Sequence, residues 1–380
     1  MTTLSTPRVG IAAVLLRTVL PVLCVLLLAL FMQAVIKPSI SPFQAKVLTG
    51  IAINIVLAVS LNIVNGFTGQ FSMGHAGFMA VGGYTGAAVT YYGSFRIWGD
   101  SQWRGGWASW AFDPSRFTGS LIAPGDLLFL MACIAAGLVA AFVGWVVALP
   151  SLRLRGDYLA IVTLGFGEIV RVLLTQSSDV LTDPAQIRDT PLPSLFTHLG
   201  GALGFTSAAG IPTYTTQFWA FLWVGVTVLV ALRLKFSSPG RALLAIREDE
   251  IAAEAMGVPT TRYKVRAFVI SSFLAGVAGC LFAHELGTTL NPRELGFQKS
   301  FDVIIMVVLG GMGSVSGAIL AATILTILPE LLRAFSQYRM IVYALALVLM
   351  MILRPQGLLG LREIWEIGPL GPWLRRRAST

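Results

Sequence analysis

From Val47 to Phe95 the chain runs for 49 residues without a Lys, Arg, Asp or Glu. A soluble domain has no use for so long an uncharged stretch, whereas a helix needs about 20 apolar residues to cross roughly 30 Å of hydrocarbon. The stretch is long enough for two crossings, joined near the glycine-rich "NGFTGQFSMGHAG". Uncharged runs at 18–36, 127–149 and 214–232 each predict a further span. So do residues 158–176, with Glu168 and Arg171 inside, and 266–284. Residues 303–329, broken by "GGMGSVSG", predict two spans around a glycine-rich turn, and a tenth is expected within 338–353. With 56% hydrophobic and 12% charged residues, and a mean hydropathy of +0.78, no half of the chain has a soluble composition.

The expected fold is all-α: a polytopic integral membrane protein of about ten transmembrane helices. Residues 1–46 form an N-terminal span and its external connection, 47–360 the membrane domain, and 361–380 a tail. The first uncharged run, "TVLPVLCVLLLALFMQAVI", follows Arg8 and Arg17 and lacks a small-x-small cleavage site. It reads as an uncleaved span.

The net charge of +9 would suggest nucleic acid in a soluble protein, but here the basic residues sit at the ends of apolar runs, where topology signals belong. No RNP-like motif, basic stripe or Cys/His metal spacing is present, so neither nucleic acid nor metal is expected. With both termini cytoplasmic, the inner side collects sixteen Lys and Arg and the outer side ten. This bias favours that orientation. Connections 93–125 and 177–213 then lie outside, the tryptophans of the first at headgroup level. Cys24, Cys133 and Cys280 fall in separate apolar runs and read as buried free thiols.

Two motifs repeat. "GFTGQFS" at 66–72 and "GGMGSVS" at 310–316 both read G-x-x-G-x-x-S, each after an apolar run directed inward, as in a parallel internal repeat. Their glycines serve either close helix packing or an unwound backbone along a path. On the second reading Gly66, Gly69, Ser72, Gly74 and His75, with Gly310, Gly313 and Ser316, belong to a translocation path. His75 reads either as a functional ionisable group or as a neutral imidazole bonded to a neighbouring helix, the latter favoured because no titratable partner is near in sequence. Glu168 and Arg171, at i and i+3, suit a structural ion pair better than a proton relay. No P-loop, nucleophile elbow or zincin helix is present, so the chain neither binds nucleotide by a P-loop nor carries a catalytic constellation.

Charge crowds at one place. Between Lys235 and Arg266 lie ten of the 45 charged residues. Within this loop (236–264), "EDEIAAEAMG" stands between breakers, Pro239-Gly240 before and Val258-Pro259 after, and predicts one short helix. Its order E-x-A-A-x-x-x-G, from Glu250 through Ala252 and Ala253 to Gly257, resembles the cytoplasmic coupling motif of ABC importer permeases. "LNIVNGFTGQFSMGHAGFMAVGGYTGA", "PSLRLRGDYLAIVTLGFGEIVRVLL", "GRALLAIREDEIAAEAMGV" and "VVLGGMGSVSGAIL" follow in an order similar to the branched-chain amino acid permease family, in its LivM-like branch. One segment departs: where many members have a "TGGPNG"-like stretch, this chain reads "LTDPAQIRDTPLP".

The resemblance implies a transport subunit, not an enzyme, in the inner membrane. Arg247, Glu248, Asp249, Glu250, Ala252, Ala253 and Gly257 would meet an ATPase. Its partners would be a second related permease, two ATP-binding subunits that hold the ATP, a periplasmic solute-binding protein and membrane lipid. The cargo would be a branched-chain or related hydrophobic amino acid, with urea or short amides as alternatives. An ion-driven secondary transporter is the rival, but it needs acidic ion sites within spans, where only Glu168 stands out.

Overall fold

The computed structural model describes residues 11–110, 120–151, 157–206, 211–287, 289–335 and parts of 338–367. Arg8, the basic segment 152–156, half of the tenth expected span and the tail from 368 lie outside the described residues. The main helices are α1 (Ile11–Phe31), α2 (Pro42–Asn62), α3 (His75–Trp98), α4 (Pro124–Ser151), α5 (Asp157–Thr175) and α6 (Gln217–Lys235). They continue with α7 (Ser238–Glu248), α8 (Glu250–Ala255), α9 (Thr260–Leu286), α10 (Phe297–Gly310) and α11 (Val315–Leu331). Among the described residues the strands are β1 (Phe205–Thr206) and β2 (Thr289–Leu290), paired antiparallel with Phe205 opposite Leu290.

Among the described residues, six helical stretches are long and apolar enough to cross a membrane: Val19–Ser39, Pro42–Phe67, Pro124–Pro150, Tyr158–Thr175, Gln217–Lys235 and Thr260–Glu285. They coincide with sequence-predicted spans. The second begins with Pro42 at its first position and a capping box, Gln44 N donating to Ser41 Oγ and Ser41 N to Gln44 Oε1. It ends in a π-helical turn, Ile63–Phe67.

The pair expected within 303–329 is present as α10 and α11, joined at the glycine turn, but with 14 and 17 residues neither has the length of a full crossing. The cause lies before α10. Asn291-Pro292, the charged Arg293 and Glu294, and Gly296 cannot extend it as a helix.

Small residues hold the centre. A Cβ added to Gly82 of α3 would lie 2.1 Å from Gly276 O of α9, and one on Gly279 would lie 1.9 Å from Met79 O. Only glycine lets the two backbones approach so closely. By contrast, α4 and α5 leave Phe142, Ile161 and Leu173 exposed. These apolar faces suit contact with lipid. Cys133 and Cys280 are buried as free thiols with sulfurs 3.6 Å apart, while Cys24 is exposed, unlike the buried thiol its apolar run suggested. In the first turn of α4, the fully buried Asp126 orders the connection before that helix, accepting from Gly106 N (2.7 Å) and Ala123 N (2.8 Å).

Candidate functional site

The charged loop folds as a helical hairpin rather than one helix. Pro239 does not precede the helix but starts it, as proline can in a first turn, with Ser237 Oγ accepting from Gly240 N. Asp249 interrupts the run with extended φ and ψ of −155° and 109°, and its carboxylate caps α8 by accepting from Ile251 N and Ala252 N. Gly257, at φ +82°, closes α8: its N–H reaches Glu254 O and that of Val258 reaches Ala253 O. This is the double bond of a Schellman end, which requires a left-handed residue. Glu250 pairs with Lys264 of α9 at 2.6 Å, so part of the crowded charge is satisfied within the chain.

Beneath the hairpin the two G-x-x-G-x-x-S turns touch. Asn62 Nδ2 donates to Ser314 O (3.0 Å) and Asn62 Oδ1 accepts from Gly313 N (2.8 Å). A Cβ on Gly66 would lie 2.5 Å from Gly313 N. Arg247 of α7 ties the hairpin to both turns, donating to Gly66 O (2.7 Å) and Met312 O (3.2 Å). Gly69 (φ +69°) lies against the Arg247 side chain, and Gly313 has φ +96°.

Each turn opens a helix with unsatisfied N–H groups. At the first, Ala76 N donates to Ser300 Oγ and Met73 N to Thr163 Oγ1, both 3.0 Å. At the second, Glu363 accepts from Val315 N (3.0 Å), Ser316 N (2.9 Å) and Lys235 Nζ. Burial alone would raise the Glu363 carboxyl, but the bonds from Lys235, Ser316 and the Val315 amide outweigh it and hold it below the usual carboxylate value.

Toward the opposite end, α10 begins inside the bundle, about 20 Å by helical rise from its glycine turn. Glu168 Oε1 accepts from Phe297 N (3.3 Å), while its other oxygen holds Arg171 Nε (2.7 Å). The ion pair read from the i, i+3 spacing thus also fixes a helix start. Just before it, the carbonyl of the buried Leu290 of β2 accepts from Tyr84 OH of α3 (2.7 Å). Tyr84 lies about 14 Å along α3 from His75, so irregular backbone reaches deep into the bundle. It is tolerated there because protein covers it and bonds it.

Of the residues singled out by sequence, Gly66, Gly310, Gly313 and Gly74 pack against backbone. The added Cβ of Gly310 meets Gly317, and that of Gly74 meets Thr163 O. Ser72 N donates to Asn65 Oδ1, Ser316 holds Glu363, and His75 is buried with Nε2 2.8 Å from Ser60 Oγ, the neighbouring-helix bond of the bland reading. Arg247 joins the two groups. Glu248, Asp249, Ala252 and Gly257 are exposed, Glu250 is half-buried against Lys264, and Ala253 is buried.

Sequence reasoning missed Ile251 and Met256, 68% and 84% exposed at the tip, because an apolar residue in a charged helix looks like its inward face. It also missed Glu363 and Lys235, whose pairing across 128 positions leaves no local pattern. Beside the hairpin opens a cleft of about 930 Å³ lined by Arg247, Met312, Arg354, Leu358 and Arg362.

An all-helical polytopic membrane protein, with a charged hairpin clamped on paired glycine turns, is the class that these features define. Residues 44–353 match the family described as branched-chain amino acid transport system / permease component, and the chain belongs to it. It is 38% identical over 348 residues to the high-affinity branched-chain amino acid transport system permease protein LivM of Salmonella typhimurium, covering 88% of this chain and 74% of that one. The LivM protein of Escherichia coli is similar to the same extent. The permease protein LivH of Salmonella typhimurium is 27% identical over 318 residues, covering 82% of this chain and 92% of its own. No solved structure matches.

Proposed function

We propose that the chain is the membrane-spanning permease subunit of an ABC importer for branched-chain or related hydrophobic amino acids, driven by ATP hydrolysis on partner subunits. The observation that carries this is Arg247. A hairpin outside the membrane helices, built to meet another protein, is bonded through one side chain to both turns at the inner end of the bundle.

In this reading Ile251 and Met256 enter a groove on the ATPase, while Glu248, Asp249 and the basic cleft orient the contact. Gly66, Gly69, Ser72, Gly74 and His75, with Gly310, Gly313 and Ser316, form the inner closure of the translocation path. A shift of α7 then moves both turns together. Similarity to both LivM and LivH supports assembly with a second, related permease and two ATP-binding subunits, with a periplasmic receptor delivering cargo at the opposite face. Both termini and the hairpin are cytoplasmic. Urea and short amides are not favoured, since the named relatives are branched-chain amino acid permeases.

Reconstitution with the ATPases and receptor tests the assignment. Arg247→Ala should leave the complex copurifying but lower receptor-stimulated ATP hydrolysis about tenfold, the factor for roughly 1.4 kcal/mol of coupling. Wild-type coupling in this variant would sink the role. Orientation is checked with Ser238→Cys and Gln102→Cys, both exposed positions. The first should be labelled only from the cytoplasm and the second only from outside.

A further inference from the structure

The chain keeps a second group of charges that neither the hairpin nor the turns use. Lys46, Gly50 and Asn54 recur every four residues along α2 and share one face. Lys46 is exposed, Gly50 and Asn54 are half-buried, and a Cβ on Gly50 would meet nothing within 4 Å. From Ile55 through Thr68 every residue is buried. An open strip therefore runs from the outer end of α2 and stops at Asn54, about 18 Å by helical rise from Gly66.

At that stop the lining turns polar. Asn54 Nδ2 donates to Thr326 Oγ1 of α11 (2.9 Å), and Asn54 Oδ1 accepts from Lys299 Nζ of α10 (3.1 Å). The Lys299 ammonium lies over the Phe282 ring, 6.0 Å from its centroid, and within electrostatic range of Asp302 and Glu285. Glu285 in turn feels Lys46. Among the described residues no ion pair within 4 Å joins any two of Lys46, Glu285, Lys299 and Asp302.

Charges at such depth are expensive unless something partners them. Here opposite charges lie within electrostatic range of one another without an ion pair, an arrangement that a ligand carrying both signs would complete. We propose that this cluster is the subsite for the two charged ends of a free α-amino acid on its way through the permease. Lys299 takes the carboxylate, Asp302 and Glu285 take the ammonium, and Asn54 and Thr326 position the lysine. Phe282 offers an apolar wall to the side chain. The inference rests on the transport reading above and adds to it the residues that meet the cargo.

The experiment uses the complete transporter with leucine as the probe. If the wild-type complex takes up no leucine, the transport reading fails, whatever the variants do. If it does, Lys299→Gln should reduce uptake more than tenfold while Lys299→Arg retains most of it. Uptake by Lys299→Gln within twofold of wild type overturns the subsite.

A second measurement keeps Lys299 in place and does not depend on that variant folding. Gly50→Cys, in a Cys24→Ser background in lipid nanodiscs, is labelled with a water-soluble thiol reagent in excess leucine or excess leucinamide, which lacks the carboxylate. Slowing of several-fold by leucine but not by leucinamide is the expected result. Equal slowing by both, or slowing by neither, overturns the subsite.

Discussion

The two glycine turns carry the same spacing, meet at Asn62 and Gly313, and are gripped by the same arginine. They are nevertheless held by different chemistry. The first opens a helix of 24 residues capped by hydroxyls of Ser300 and Thr163, side chains of helices packed beside it. The second opens a helix of 17 residues capped by a carboxylate from near the end of the chain, with Lys235 as counter-ion. Neutral caps suit a turn enclosed by helices, because they bring no charge to desolvate. The charged cap at the second turn is fully buried as well, and it is tolerated because Lys235 and two backbone amides meet its charge.

The largest effect is expected where the turns touch. Gly66→Leu drives a side chain into Gly313 N and Asn62, and should cost about 3 kcal/mol, read as thermal unfolding of the purified protein. An unchanged melting temperature would mean that the turns separate freely and the comparison fails.

Glu363→Gln should come next, at about 2 kcal/mol, from loss of charge-assisted bonds to the second turn. Its sign with pH is fixed. A carboxyl held below its usual value contributes stability that is present above its unfolded value, near the reference 4.5, and is lost as pH falls through the depressed folded value. Acid should therefore narrow the gap between wild type and Glu363→Gln, and a gap that widens below pH 4.5 would contradict the assignment.

Ser300→Ala removes a neutral cap from the first helix and should cost about 1 kcal/mol, with no pH dependence of the difference between pH 4 and 7. Smallest is Glu250→Gln, which loosens the hairpin from α9 at Lys264. Glu250 keeps 30% of its side chain exposed beside the buried Lys264, and the amide can still accept from the ammonium, so the loss is roughly 0.5 kcal/mol and less in salt, and neither turn should respond. Altered proteolysis at 310–316 in this variant would show that the hairpin and the second turn are not separately anchored.

The spans were legible because 20 apolar residues have few other uses, and the charged loop was legible because its charges break that pattern, but its folding as two helices around Asp249 was not. Gly257 could be read as a helix end, and Glu168 with Arg171 as a pair, since both depend on neighbours in sequence. Whether Gly66 packs or lines a path could not be read, because glycine serves both and only the position of Gly313 decides what it touches. Lys299 was counted with the outer connections for a related reason. Its depth follows from where α10 begins, which depends on Glu168 meeting Phe297 across 129 positions.

Because α10 covers only about two thirds of a roughly 30 Å hydrocarbon layer, the remaining depth above it is left to residues 289–296 and the β1–β2 pair, hung from Tyr84. Irregular chain at such a depth would have to keep ions out as well as bond its own polar groups. Shortening it would join the outer strip to the bundle interior, and a cell energised by an ion gradient would register the damage as leak current before it registered any loss of nutrient.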